Sequence, residues 1–394
     1  MSTEKPQANQ RPAIAELSLM LLTRTLPPSL EGARIEPQGT VIHDLNGKPL
    51  FRRLALTGAG VSGYADVAIA PELGAPLVAV SHGQAWDEHG LLAEGKRVAA
   101  NRFKVADAAQ VQFVAYSFPK IALRFLDRDN RELLLLELWT WEQVPERRET
   151  KEPPGNFERW SYLDETPREV LRAKAENHDR RQEALGRLAE RVQSFTLLDR
   201  ISSSELEVVL ALPPGSLFGD SRDLHYGTHT ADHVPCYELH GQETSVWCVA
   251  ASVQMVLDFY RYEYTQVRLA QEMGLGTLAN PGPLPFGQEH KVVDTLQKLT
   301  GNALTANLNT SPSWGEFRSE ILANRPLISF IPGHSRTVAG YTESGILNII
   351  EGLTPFHGLL VYDPWPPNMG VITRYENFDA QTYRDTFTAH VTLQ

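Results

Sequence analysis

Cysteine is nearly absent from this chain, with two residues, Cys236 and Cys248, among 394. That excludes a disulfide framework and a four-cysteine zinc site, and it fits a reducing compartment. Long apolar runs are missing too. Nothing approaches the roughly eighteen consecutive apolar residues of a membrane-spanning helix. The run Leu17 to Leu22 is too short and too late for a secretory signal, so a cytoplasmic location is expected. Basic excess is also lacking: 37 Lys+Arg face 48 Asp+Glu, for a net charge of -11. That disfavours a general binder of nucleic acid or anionic membrane, and neither is expected as a partner. What is present is ordinary globular material, 42% hydrophobic and 22% charged. At roughly 150 residues per domain the chain has room for two or three.

Residues 1–33 read as a mobile tail with one short helical candidate, Ile14 to Arg24, ended by Pro27-Pro28. Residues 34–145 read as a β-rich domain. Phe51 to Leu56, Tyr64 to Ala70, Pro76 to Val80, Val111 to Tyr116, Ile121 to Leu126 and Glu132 to Trp139 are short runs rich in Val, Ile, Leu and aromatics. Turn signals such as Asn46-Gly47 and Asp127 to Asn130 separate them, and the pattern predicts a separate sandwich or barrel. After Pro153-Pro154-Gly155 comes a helical linker and connecting segment, 146–229. Its centre is one long helix over 166–196, with Leu171, His178, Leu185 and Val192 recurring every seven residues. That stripe fits packing against a neighbouring domain, with a dimeric coiled coil as the alternative; the oligomeric state is left open. A further strand is expected over Glu205 to Leu212. From 230 to 394 helical patterns (246–261, 264–273, 288–299, 314–323) precede strand-like ones (326–331, 336–341, 346–350, 358–362, 386–393), which describes an α+β domain.

The stretch Gln242-Glu243-Thr244-Ser245-Val246-Trp247-Cys248 carries the strongest chemical signal. Thr244 or Ser245 is expected to cap a helix that starts there. Cys248 then falls in the first turn, where unpaired N–H groups and the helix dipole favour thiolate over thiol. Gln242 can aim an amide N–H at an oxyanion growing beside the sulfur. A thiolate nucleophile needs a base and an orienting group. His334 opens one strand-like run and Asp363 closes another, so adjacent strands could bring them into hydrogen-bond reach. Asn348 and Asp379 are the rival orienting groups.

Gln-x5-Cys opening a helix, a His-x5-Gly-Tyr strand, and a strand ending in Asp-Pro together resemble the papain-like cysteine peptidases. The nearer likeness is to two bacterial branches, the peptidases that cut bacteriocin leaders after a double glycine and the effector-type papain-like proteases. Trp247-Cys248 followed by Ala250-Ala251, and Trp314-Gly315-Glu316 through Asn324-Arg325-Pro326-Leu327-Ile328, add to it. The resemblance covers about 230–394 and implies a papain-like fold there. It also implies a peptidase with Cys248 as nucleophile, His334 as base, Asp363 as orienter and Gln242 in the oxyanion hole. A protein or peptide substrate follows, as does possible delivery as an effector. Two departures stand out. Val249 replaces the usual aromatic, and Ser335-Arg336-Thr337 is more polar than the usual run after the histidine.

No cofactor or metal is expected. His43, His82 and His89 with Asp44 and Asp87 lack ligand spacing on a shared face. Gly58-Ala59-Gly60-Val61-Ser62-Gly63 mimics a dinucleotide fingerprint but no helix is predicted after it. Cys236 reads as a free thiol, with a redox lock to Cys248 as the alternative. The leading reading is a cysteine peptidase whose β domain selects substrate or restrains activity. The alternatives are a thiol acyltransferase, deamidase or transglutaminase-like enzyme, and a non-catalytic binding module. The breaker-rich segment 213–241, or the N-terminal domain, is expected to cover the site.

Overall fold

The computed structural model describes Ser18 and residues 33–58, 62–83, 85–147, 155, 157–189, 207–208, 211, 217–224, 237–346, 355–383 and 385–391. The expected helix at Ile14 to Arg24, apart from Ser18, the Pro153-Pro154 break, Cys236 and Asn348 lie outside the described residues. So do most of Glu205 to Leu212, 346–350 and 213–241.

The N-terminal half is built from β1 (Arg34–Asp44), β2 (Pro49–Thr57), β3 (Gly63–Ala68), β4 (Leu77–His82), helix α1 (Glu88–Phe103), β5 (Gln110–Ser117), β6 (Lys120–Leu126) and β7 (Glu132–Glu137). A short helix α2 (Tyr162–Glu165), the long α3 (Arg168–Ala189) and β8 (Leu217–Asp223) connect it to the rest. The C-terminal half opens with α4 (Cys248–Phe259), α5 (Gln266–Met273), the small pair β9 (Gly276–Thr277) and β10 (Asn280–Pro281), and α6 (His290–Leu299). It continues with β11 (Leu304–Asn309), α7 (Trp314–Leu322), β12 (Leu327–Ile331), β13 (His334–Ile346), β14 (Phe356–Asp363), β15 (Val371–Asn377) and β16 (Asp385–Val391).

The expectation of a separate sandwich or barrel is corrected by the sheet itself. One 14-stranded sheet runs β11-β16-β12-β13-β14-β15-β4-β3-β2-β1-β5-β6-β7, with β8 also paired to β13. The junction is antiparallel, with Thr373 opposite Ser81, Tyr375 opposite Val80 and Glu376 opposite Ala79. Its cause is local. Tyr375 is fully buried, and its ring lies across Gly358 of β14, where an added Cβ would meet it at 2.1 Å. Glycine there lets β15 settle flat between β14 and β4. Edge strands left open would expose unpaired backbone groups; here each half covers the other's edge.

The cores are knitted as well. The cluster around Phe51, Phe118, Leu123, Leu136 and Trp160 includes Ala380 from the C-terminal half. Tyr162, held at its backbone N–H by Asp44 at 2.9 Å, donates its hydroxyl to Ala380 O at 3.0 Å. Helix α3 buries His178, Gln182, Leu185 and Leu188 along one stripe. Arg181 on that stripe pairs with Asp379 at 2.9 Å, and Lys174 donates to Gln381 O at 2.9 Å. The part of the seven-residue stripe within Arg168–Ala189, His178 and Leu185, therefore faces the chain's own interior. Helix α1 was not expected. Gly90 and Gly95 lower its helix propensity, but Gly95 lets it approach β6, where an added Cβ would sit 2.2 Å from Leu123.

Candidate active site

Two elements of the C-terminal half converge. Cys248 is the first residue of α4, and its N-cap is Trp247, which offers no capping side chain. This corrects the expected cap. Thr244 instead uses its carbonyl to accept from Gln242 Nε2 at 2.6 Å. A helix start without a side-chain cap keeps its first N–H donors for another acceptor. Trp247 anchors the turn through Nε1 to Leu275 O at 3.0 Å.

The second element is the β12–β13 hairpin. Pro332 and Gly333 form its turn, Gly333 at φ 69, a conformation that favours glycine. Ile331 and His334 pair across it. His334 thus stands at the strand's first position, and its Nε2 meets Asp363 Oδ1 at 2.6 Å. Asp363 ends β14, and its Oδ1 also accepts from Trp365 N at 2.8 Å. The backbone N–H of Ser335 donates to Cys248 Sγ at 3.3 Å. His334 Nδ1 is buried and has no hydrogen-bond partner among the described residues. Gln242 is pinned through its backbone to the loop after Asp363, with its N–H on Pro364 O at 2.9 Å and its carbonyl accepting from Asn368 N at 2.8 Å. The structure therefore gathers Cys248, His334, Asp363 and Gln242 at one place. The rival Asp379 is engaged by Arg181.

Residues 232–391 match the Peptidase_C39 like family. This region is a Peptidase_C39-like domain. The family is a papain-like cysteine peptidase family related to the double-glycine leader peptidases. No curated protein matches the chain.

The polar run after the histidine of the C39-like domain is buried and partnered. Ser335 Oγ meets Ser252 Oγ, one helical turn beyond Cys248, at 3.2 Å. Thr337 Oγ1 donates to Tyr362 O at 3.3 Å. Arg336 forms a two-pronged pair with Glu376. These bonds dock α4 and β15 against β13, so the departure from an apolar run brings added attachment. Val249 is buried in the core around Trp247 and Leu275.

Electrostatics favour a neutral imidazole. Burial pushes the His334 pKa down to about 4; Asp363 opposes this, while Lys120 and Arg336 add to it. Burial raises Asp363, but His334, Arg336 and the Trp365 N–H outweigh it and hold the carboxyl below its usual range. The carboxylate therefore stays ionised and fixes the proton of the neutral ring on Nε2.

The centre of the C39-like domain is closed. Cys248 is 1% exposed, His334 3% and Gln242 0%. Part of its surroundings comes from the N-terminal half, through residues that the sequence reading did not single out. Lys120 Nζ donates to Gly333 O at 3.2 Å, Ser117 Oγ to Pro332 O at 3.5 Å, and the Phe157 ring lies 6.2 Å from Trp365. Phe118-Pro119-Lys120 reads in sequence as an ordinary hairpin turn, so no local signal marks it. A cavity of about 70 Å³ lies between the halves, lined in part by Arg53, Asp66, Lys120, Arg336, Asp363 and Trp365. It reaches Asp363 on the side of the N-terminal strands. Among the described residues no cluster of three His, Cys, Asp or Glu side chains could hold a metal. No described helix is long and apolar enough to cross a membrane.

Proposed function

We propose that the protein is a cysteine peptidase that hydrolyses peptide bonds through a Cys248 thioester. The observation that carries this reading is His334 held by Asp363 at Nε2 with Nδ1 left open, one residue before the Ser335 N–H that meets the Cys248 sulfur at 3.3 Å, at a helix start without a side-chain cap. Nδ1 takes the Cys248 proton, and the thiolate attacks the scissile carbonyl carbon. The resulting oxyanion accepts from the Cys248 backbone N–H and from the second Nε2 hydrogen of Gln242. Asp363 stabilises the imidazolium, which returns its proton to the leaving amine as the C–N bond breaks. Water, deprotonated by the same nitrogen, then attacks the thioester and releases the acid and the thiol.

The N-terminal half restrains this centre in the free protein. Its support is the burial of Cys248, His334 and Gln242, with Lys120, Ser117 and Phe157 set against the loops around them. A peptide reaches the sulfur only after those contacts loosen. A cytoplasmic site of action fits the paucity of cysteine and the reactive thiol.

An electrophilic peptidyl epoxide tests the reading. It is expected to form one adduct, on Cys248, and to form it far more slowly in His334→Ala. Equal labelling of both proteins would show that the imidazole does not activate the thiol. Phe157→Ala is expected to raise the labelling rate a few-fold, since an aromatic contact contributes about 0.5–1.5 kcal/mol; an unchanged rate removes the restraint.

A further inference from the structure

We propose that Lys120, carried by the N-terminal half of the sheet, is a positioning residue of the peptidase centre: its ammonium pins the turn that delivers His334 and favours the thiolate of Cys248. The inference rests on the peptidase reading above and adds to it a group from outside the C39-like domain.

The geometry is direct. Lys120 Nζ holds Gly333 O at 3.2 Å, one residue before His334 and two before the Ser335 N–H that meets the sulfur at 3.3 Å. Ser117, at the other end of the same hairpin turn, reaches Pro332 O at 3.5 Å. The Pro332-Gly333 turn is therefore gripped from the N-terminal half on one side and from α4 on the other. Lys120 is 4% exposed, and its ammonium lies 4.9 Å from the centre of the Trp365 ring.

A buried ammonium ordinarily needs an ion pair. Lys120 makes no direct one among the described residues. The anionic groups that act on it are Cys248, Asp363 and Glu137, each opposing the effect of burial, which lowers its pKa. Asp363 is committed to His334 and to the Trp365 N–H. Glu137 turns Oε2 to Trp139 N, Thr140 N and Thr140 Oγ1. The sulfur is the one of the three whose negative charge develops in the reaction. The cation also disfavours a protonated His334, so it lowers the proton affinity of both members of the pair. The other charged or titratable groups near this centre are the Arg336–Glu376 pair and Tyr116, which is raised by burial and then by Glu137, Glu142 and Asp363.

The test follows the pH midpoint of Cys248 alkylation by iodoacetamide in the full chain. Cys236→Ser serves as background so that one thiol reports, and thermal unfolding is followed in parallel. Lys120→Met is expected to raise the midpoint by about one pH unit, as loss of a nearby opposite charge does. Lys120→Arg is expected to restore most of it, because it keeps the charge. Glu137→Gln is expected to move the midpoint down, since it removes a competitor for the cation. Lys120→Gln, which removes the charge but keeps a donor for Gly333 O, decides the matter if Lys120→Met does not fold: it is expected to raise the midpoint likewise, and an unmoved midpoint overturns the role of Lys120. A background midpoint well below that of free cysteine, unmoved by the folded variants, overturns the role of Lys120 and leaves the peptidase reading intact. A background midpoint at the ordinary cysteine value overturns both.

Discussion

In the N-terminal half of the sheet two buried carboxylates, Asp66 and Asp44, are closed by partners from that same half. Arg53 grips Asp66 through two bonds of 2.8 Å, with the guanidinium 3.8 Å from the centre of the Tyr64 ring. Asp44 takes the Ser161 hydroxyl and the Tyr162 N–H at the start of α2. The C-terminal half closes Arg336 on Glu376 in the same way, yet leaves polar atoms open around Cys248. His334 Nδ1, Gln242 Oε1 and Trp365 Nε1 are all buried without a hydrogen-bond partner among the described residues. Each such atom costs about 1–3 kcal/mol. Their concentration at one place is what a centre needs if substrate is to complete its bonding. The same sheet thus holds buried carboxylates that fix structure, Asp66, Asp44 and Glu376, and a group of buried atoms around Cys248 that are kept for chemistry.

The comparison can be broken most decisively at His334. His334→Ala should lower kcat/KM about 10⁴-fold, with KM little changed; a loss below tenfold would mean that the open Nδ1 is not the base. Next come the two closed pairs. Arg53→Met and Arg336→Met should each cost about 3–5 kcal/mol in denaturant unfolding, because a buried carboxylate is left alone. An effect confined to one of them would show that the halves are not knitted alike. Gln242→Ala should reduce kcat about 10²- to 10³-fold, the usual loss for one oxyanion donor, and cost about 1–3 kcal/mol in unfolding through the lost bond to Thr244 O.

The smallest of these effects is in pH. The folded His334 titrates near 4 against an ordinary 6.5. As pH falls the unfolded chain takes the proton first, so this contribution is complete above about 6.5 and is lost progressively towards 4. Its size is up to about 3 kcal/mol. His334→Asn should flatten stability across that window, and an unaltered slope would place the acid sensitivity elsewhere.

Much of this architecture is legible in the sequence, and the parts that are not have physical reasons. The runs at Phe51, Val111 and Ile121 become β2, β5 and β6 because their apolar residues are dense enough to declare strands alone. Helix α4 declares itself in the same way, and Gln242, Cys248, His334 and Asp363 stand in an order that a reader can follow. Strand β15 does not. Val371 to Arg374 are half-buried, so its pattern is weak, and its partner Ala79 lies almost 300 residues away. No local period encodes such a pairing, so the single sheet could not be read in advance. Lys120 was invisible for the same reason, since its role depends on a turn brought to it by that sheet. The cap was misplaced because Thr244 and Ser245 have the chemistry of a cap, whereas the backbone delays the helix until after Trp247.

The most direct test of the account is a comparison of cleavage products. The full chain and its Cys248→Ala variant are incubated with one peptide library under reducing conditions, and new N-termini are identified by mass spectrometry. The account predicts new N-termini from the unmodified protein, sharing a common sequence context, and none above background from Cys248→Ala. The same set of termini from both proteins would contradict it.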